Sequence, residues 1–242
     1  MSLKNEPTGP KEGADKKTIE AETEKYKEEL FKLQNLLYAG QKYSMLIILQ
    51  GMDAAGKDGT VRHVFSSLNP MGICVKAFKQ PTTEEMTHDF LWRVHPHAPA
   101  RGMMQVFNRS HYEDILVPSV HKTVDKEKIE KRYDLINAFE QGLVDNDTII
   151  LKFFLHISQK EQAERIKERL TVPEKKWKYD PADKKEAANW DAYMEVYEKI
   201  LKKCSPEIPW NIVPADYKWY RNYIIAKTIA DKLRGLKLKY PA

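Results

Sequence analysis

Between an apolar run and an amphipathic one lies the segment Gly51-Met52-Asp53-Ala54-Ala55-Gly56-Lys57, and that junction restricts the architecture more than any other feature of the chain. Ahead of it, Ser44 to Leu49 contains Met-Leu-Ile-Ile-Leu, the continuous apolar pattern of a strand buried on both faces. Behind it, Gly59 to Leu68 has the spacing of an amphipathic helix. A loop in that context, with Gly51, Gly56 and Lys57 at Walker A spacing, suits phosphate binding. Small residues let successive backbone N–H groups curl around a phosphate, the helix start adds a positive end, and Lys57 adds a mobile cation. Gly51, Ala54, Ala55, Gly56, Lys57, Asp58, Gly59 and Thr60 are therefore candidate phosphate ligands. The bland alternative is a tight strand-to-helix turn carrying an incidental lysine.

The rest of the chain alternates strands with helices. Residues 1–15, rich in Lys, Glu, Gly and Pro, read as a disordered arm. Tyr26, Leu30, Leu33 and Leu37 recur at helical spacing ahead of the first strand. Ile73 to Phe78 reads as a second strand, and Thr82 with Glu85 forms a capping box that opens a helix to about Arg93. Met103 to Phe107 is the third strand, Lys126 to Leu143 a long helix, and Thr148 to Leu155 the fourth strand. Ser158 and Glu161 open another helix to about Leu170. A Lys- and aromatic-rich insert at about 171–205 precedes a short fifth strand, Asn211 to Val213, and a closing helix capped near Asp216 runs to about Leu236. This order implies one α/β domain over 16–242, with a central parallel five-stranded sheet flanked by helices and the insert as a helical hairpin.

The loop departs from the standard pattern at Asp58, which stands where Ser or Thr usually ligates magnesium. The metal must then be held otherwise. Asp53 inside the loop would repel a phosphate unless a divalent cation lay between them, so Asp53 is the expected metal residue. Asp58 is either part of the metal's surroundings or a charge that complements the helix dipole. Carboxyl ends of parallel strands line the ligand crevice, which places Arg109 of Phe107-Asn108-Arg109-Ser110-His111-Tyr112-Glu113 opposite bound phosphates. His111 and His95 are either phosphate donors or hydrogen-bonded structural histidines.

Composition excludes several classes. No stretch approaches the roughly 20 apolar residues of a membrane span, and Met1 to Lys17 lacks a signal-peptide core, so a soluble cytoplasmic protein is expected. Two cysteines are too few for a disulfide scaffold. A net charge of +5 suits an anionic substrate and equally nucleic acid.

Taken together, the loop from Gly51 to Thr60, the stretch from Phe107 to Glu113, Lys176-Trp177-Lys178, Trp190, Tyr193 and Pro209-Trp210 resemble polyphosphate kinase 2, over nearly everything after Gln41. That resemblance implies a P-loop kinase fold like thymidylate kinase, with a helical lid over a basic channel for linear polyphosphate. It implies Asp53 as the catalytic, metal-associated carboxylate, Lys57 and Arg109 as catalytic cations, Arg165 and Arg169 as channel arginines, Lys176 and Lys178 as lid lysines, and Arg221 directed at the site from the closing helix. Asn108 and Glu113 replace residues of other members and resemble the subgroup that accepts both AMP and ADP. The implied partners are polyphosphate and ADP, AMP or ATP, with guanine nucleotides as an open alternative. Mg2+, or Mn2+ in its place, is the implied cofactor, and a homodimer or homotetramer the implied assembly.

The reaction expected is reversible phosphoryl transfer from polyphosphate to ADP, AMP or both. Its rivals are an ATP-dependent nucleotide kinase, a nucleic-acid-binding P-loop ATPase and a silent P-loop scaffold. Trp190, Tyr193 and Tyr197 fall at helical spacing, which favours packing over base stacking, so neither nucleic acid nor a membrane is an expected partner.

Overall fold

The computed structural model describes residues 2–179, 181–204 and 206–241, with the side chains of Lys178, Ala182, Asp183 and Lys184 outside the described set. Its centre is β1 (Ser44–Gln50), buried along its whole length because it lies between two parallel neighbours. The sheet is five-stranded and parallel, in the order β2 (Ile73–Ala77), β3 (Met104–Asn108), β1, β4 (Thr148–His156), β5 (Trp210–Pro214). Helices α9 (Lys218–Gly235) and α5 (Lys126–Asp145) both pack on β4, and the burial of every residue of β1, whose side chains alternate between faces, shows the centre of the sheet covered on both sides. Helix α1 (Lys16–Gly40) buries Leu30 and Leu37 and packs along α9.

The five strands fall where the apolar runs place them, and three helices depart from expectation. Helix α3 (Thr83–Thr87) has the predicted capping box but stops at Thr87. His88 is extended, and the Asp89 carboxylate takes the Leu91 N–H in a local turn that competes with the helix. Helix α4 (Glu113–His121) was not expected, because Pro118 lies inside it. Proline removes one helical donor, which frees the carbonyl of Asp114, and the Arg132 guanidinium donates to that carbonyl. The closing helix starts without a side-chain cap, since Asp216 instead accepts the Ser158 N–H at 2.7 Å.

The N-terminal arm also differs from its expectation as a disordered segment. Leu3, in a single 3-10 turn (Leu3–Asn5), is 1% exposed within the core, and its N–H donates to Glu198 at 2.7 Å. Further on, Thr8 accepts the Asp216 N–H at 3.0 Å. One apolar anchor and two backbone bonds hold a segment whose average composition is polar.

After α6 (Gln159–Thr171) the insert forms a 3-10 segment (Pro173–Lys178), α7 (Pro181–Ala188) and α8 (Trp190–Lys203). Tyr193, Val196, Tyr197 and Ile200 of α8 are buried, which agrees with packing as the role of these aromatics. Helix α8 packs on α4, so the insert closes over the carboxyl end of the sheet.

Candidate active site

Loop geometry at the end of β1 requires glycine at two points. A Cβ on Gly51, at φ +150°, would lie 2.6 Å from the Leu155 carbonyl oxygen; one on Gly56, at φ +103°, would lie 1.9 Å from the Arg221 guanidinium. Ala54 also takes a left-handed conformation, at φ 63°. Helix α2 (Lys57–Val64) begins at once, presenting the unpaired N–H groups of its first turn to the same space. Lys57 is buried, its ammonium folded back onto the carbonyls of Gly51 at 2.6 Å and Met52 at 3.2 Å. Burial, and then repulsion from Arg109, lower its pKa to about 8.

Arg109 follows β3 in the left-handed region, at φ 63°, a strained position for a residue with a Cβ. Its guanidinium donates to Asp53 Oδ1 at 2.7 Å. Burial pushes the Asp53 carboxyl up, and Lys57 and Arg109 together bring it below the ordinary carboxylate value. Burial opposes the charge on Arg109 in turn, while Glu113 and Asp53 raise its pKa above the usual guanidinium value. The pair is therefore ionised on both sides near neutral pH.

Two spaces meet at this ion pair. A cleft of about 560 Å³ runs past the loop, lined by nine Lys and Arg side chains against three acids. An adjoining cavity of about 160 Å³ is bounded by Gly51 and Met52, by Glu113, Leu116, Val117 and His121 of α4, by Gln162, and by Glu186, Tyr193 and Tyr197 of the insert. Asp53 and Arg109 line both spaces. Burial raises the Glu113 carboxyl above its ordinary value, against the pull of Arg109 and Lys57.

Most of the expected residues come together here. Asp53, Ala54, Gly56, Lys57, Asp58, Gly59, Asn108, Arg109, Arg169 and Arg221 line the cleft, and Glu113 lines the cavity. Ala55 is buried behind the loop and Thr60 is buried one turn into α2. Asp58 is exposed in the first turn of α2 and accepts the Asn108 amide at 2.6 Å. Arg165 borders the cleft, but its guanidinium is spent on protein: it donates to the carbonyls of Ala54, Ala55, Ala215 and Asp216 at 2.7 to 3.1 Å and to Glu161 at 2.8 Å. It braces the underside of the loop. Arg221 is 1% exposed, and burial, then repulsion from Arg165, lower its pKa to about 9.

His111, His95 and Lys176 are not among the residues lining either space. His111 is fully buried, with Nε2 3.1 Å from Glu140 and its ring against Tyr112 and Phe139, so it is a core residue and not a phosphate donor. His95 packs edge-on against Phe139. Lys176 is exposed and is not among the residues lining the cleft, whereas its neighbours Lys175 and Trp177 line it. The side chain of Lys178 lies outside the described residues. Residues that sequence reasoning did not single out are Arg62, Lys79 and Lys218 in the cleft and Gln162, whose amide holds the Asp53 carbonyl at 3.0 Å. Arg62 had a readable signal, since it lies one helical turn after Asp58 on the phosphate-binding helix.

No group of three or more metal-ligating side chains exists among the described residues. Mg2+ that arrives with phosphates needs only one or two protein carboxylates, the remaining ligands being phosphate oxygens and water. Ionised Asp53, at the junction of cleft and cavity, fits that requirement.

A parallel α/β sheet with a phosphate loop at its carboxyl edge, a basic cleft and a lidded cavity defines a phosphotransferase of the P-loop kinase fold. The family model of polyphosphate kinase 2 matches residues 13–240, and the chain belongs to the polyphosphate kinase 2 family. It is 47% identical to the AMP/ADP-polyphosphate phosphotransferase of Meiothermus ruber, over 88% of this chain and 80% of that protein. It is 45% identical to the ADP-polyphosphate phosphotransferase of Rhodopseudomonas palustris, over 88% and 78%. The crystal structure of polyphosphate kinase 2 from Arthrobacter aurescens TC1 superposes with a TM-score of 0.97 at 41% identity, covering all of this chain and 88% of the other.

Proposed function

We propose that this chain transfers phosphoryl groups reversibly between inorganic polyphosphate and the adenine nucleotides AMP and ADP. The observation that carries the reading is the shared wall: Asp53 and Arg109 border both the basic cleft and the smaller cavity. Polyphosphate fits the cleft by charge. The nucleotide enters the cavity, where its terminal phosphate meets Arg109 across from the loop. The Meiothermus ruber relative, an AMP/ADP-polyphosphate phosphotransferase, supports both acceptors, and the Rhodopseudomonas palustris relative, an ADP-polyphosphate phosphotransferase, supports ADP.

Positioning and charge neutralisation supply most of the catalysis in phosphoryl transfer. Lys57 leaves the Gly51 and Met52 carbonyls to meet the transferred group, and an anion restores the charge that burial disfavours. Arg109 reaches the same group from the β3 side. Asp53 would hold Mg2+ or Mn2+, which when bound would supply screening of the repulsion between donor and acceptor phosphates. The loop N–H groups and the start of α2 orient the phosphate ahead of the scissile bond.

Dual acceptance follows from Asn108 and Glu113. A carboxylate at position 108 would oppose Asp58; the amide donates to it instead, so no second acid competes at the strand end. Glu113 reaches the cavity from the first turn of α4 and sets which acceptor phosphate can approach. With AMP, polyphosphate and Mg2+ as the only substrates, chromatography should show ADP first and ATP after it. If AMP stays unchanged while a parallel reaction with ADP gives ATP, dual acceptance is overturned, and no product in either reaction would overturn the polyphosphate reading. Light scattering on the purified chain tests the associated proposal of a homodimer or homotetramer.

A further inference from the structure

Away from the loop, bordering a separate cavity of about 340 Å³ that Glu140, Lys152 and Cys204 help to line, is a group of buried ionisable side chains that take no part in the chemistry. Lys152 of β4 and Glu140 of α5 are each 1% exposed, and Lys152 Nζ donates to Glu140 Oε2 at 2.7 Å. The same ammonium donates to the Tyr112 hydroxyl at 3.1 Å and to the Cys204 carbonyl at 2.6 Å. Glu140 Oε1 accepts from the Tyr112 hydroxyl at 2.8 Å and lies 3.1 Å from His111 Nε2. A buried ion pair adds little to stability compared with apolar residues of the same volume, so its presence asks for another reason.

The partners supply one. Tyr112 is the residue directly before α4, whose Glu113, Leu116 and Val117 form one wall of the cavity. Cys204 caps α8, whose Tyr193 and Tyr197 form the opposite wall. Lys152 stands on the central sheet and holds both ends at once. Ser110 and Tyr112 are joined as well, since the Ser110 hydroxyl accepts the Tyr112 N–H at 3.2 Å, which connects the same knot to the strained turn at Arg109.

We infer that the Lys152–Glu140 pair is a positioning element for the nucleotide acceptor: it sets the placement of the α4 wall and the lid wall of the cavity, and acts on the polyphosphate cleft only through the shared wall at Arg109. The inference rests on the proposed division of donor and acceptor between cleft and cavity. The knot's bonds run to the residue before α4 and to the end of α8, the two helices that wall the cavity, so its loss acts chiefly on the acceptor.

The test is steady-state kinetics on the full chain, varying ADP and polyphosphate separately, for Lys152→Met, Tyr112→Phe and the double variant Lys152→Met with Glu140→Gln. The double variant removes the charge imbalance that Lys152→Met alone leaves buried, so its melting temperature should recover most of the single variant's loss. Loss of one charge-assisted bond to the lid end should raise KM for ADP about tenfold in both Lys152 variants and about threefold in Tyr112→Phe, with KM for polyphosphate within about twofold. Persistence of the raised KM in the thermally restored double variant is the signature that a merely structural pair would not give. Return of KM for ADP to the wild-type value along with stability would overturn the inference, as would equal rises for both substrates. If Lys152→Met does not fold, an unchanged KM for ADP in the other two variants overturns it. Wild-type enzyme inactive with ADP and polyphosphate would refute the parent reading instead, which keeps the two failures apart.

Discussion

Arg165 and Arg221 beneath the phosphate loop and Lys175 and Lys176 on the lid carry the same charge on one rim of the molecule, yet they do different physical work. The arginines are buried, and Arg165 alone holds four backbone carbonyls from two separate loops. Lys175 is half exposed against Glu168, and Lys176 is exposed. A buried guanidinium is preorganised and expensive to remove; an exposed ammonium is mobile and screened by salt. The floor of the cleft therefore defines geometry, and the lid contributes attraction.

The comparison is broken most sharply at the catalytic floor. Lys57→Ala and Asp53→Asn should each lower kcat by roughly 10³-fold in protein that remains folded, because Lys57 acts on the transferred phosphoryl group directly and Asp53 through the cation it would hold. Asp53→Asn should also weaken the dependence of rate on Mg2+ concentration, which Lys57→Ala should not. Titrations of rate against Mg2+ distinguish them, and near-normal turnover in either folded variant would remove that residue from the chemistry.

Arg165→Leu tests whether the floor is structural. It removes the Arg165 donors from the carbonyls of Ala54, Ala55, Ala215 and Asp216, of which Ala55 keeps Arg221 at 3.3 Å, and a loss of about 3 kcal/mol in unfolding free energy is expected, measured by urea denaturation. The same change at Lys176 should leave stability within about 0.5 kcal/mol. Equal, small effects at both positions would erase the distinction.

These contrasts mark where the sequence was readable. The run from Ser44 to Leu49 announces a strand buried on both faces, and the loop after it announces its chemistry, because each pattern is local. Pro118 hid α4, because the carbonyl it frees is satisfied by Arg132 from another helix, a partner with no local signature. Arg165 was identifiable as a charge near the site, but helical position does not reveal that its donors turn inward to the loop. The resemblance singles out Lys176 and Lys178, whereas Lys175 and Trp177 of the 3-10 segment Pro173–Lys178 line the cleft, a placement that a local run of lysines does not encode. The Lys152–Glu140 pair gave no sign at all, since a lysine in an apolar strand and a glutamate in a polar helix are unremarkable apart.

A smaller effect sharpens the electrostatics of the floor. Lys57 has a native pKa of about 8, below its ordinary value, so above pH 8 the anion-free protein loses this charge while the unfolded chain keeps it. The unfolded state then binds more protons, and the Lys57 contribution makes stability rise with pH from about 8 toward the ordinary lysine range. Bound phosphate favours the charged form, so binding must draw a proton from solvent in that window. Calorimetry of pyrophosphate binding at pH 8.5 in buffers of different ionisation enthalpy should show uptake of a fraction of a proton, lost in Lys57→Ala. Identical uptake in the variant would assign the proton to another group.

The smallest effect belongs to the lid. Lys175 lines the cleft beside Trp177 while Lys176 does not, so Lys175→Ala should raise KM for polyphosphate about threefold at low ionic strength, and Lys176→Ala by less than half as much. Because Lys175 is only half buried, salt should mimic its removal: between about 0.05 and 0.5 M KCl the Debye length falls severalfold, and the wild-type KM should climb toward that of the variant. The floor arginines offer the control, since their charges are shielded from bulk ions by the protein around them. KM measured across that salt range for wild type, Lys175→Ala and Lys176→Ala gives three curves, and the first two should converge at high salt. If wild type and Lys175→Ala remain parallel, the lid lysine is a solvated charge with no part in drawing polyphosphate into the cleft, and attraction as well as geometry would have to be assigned to the floor.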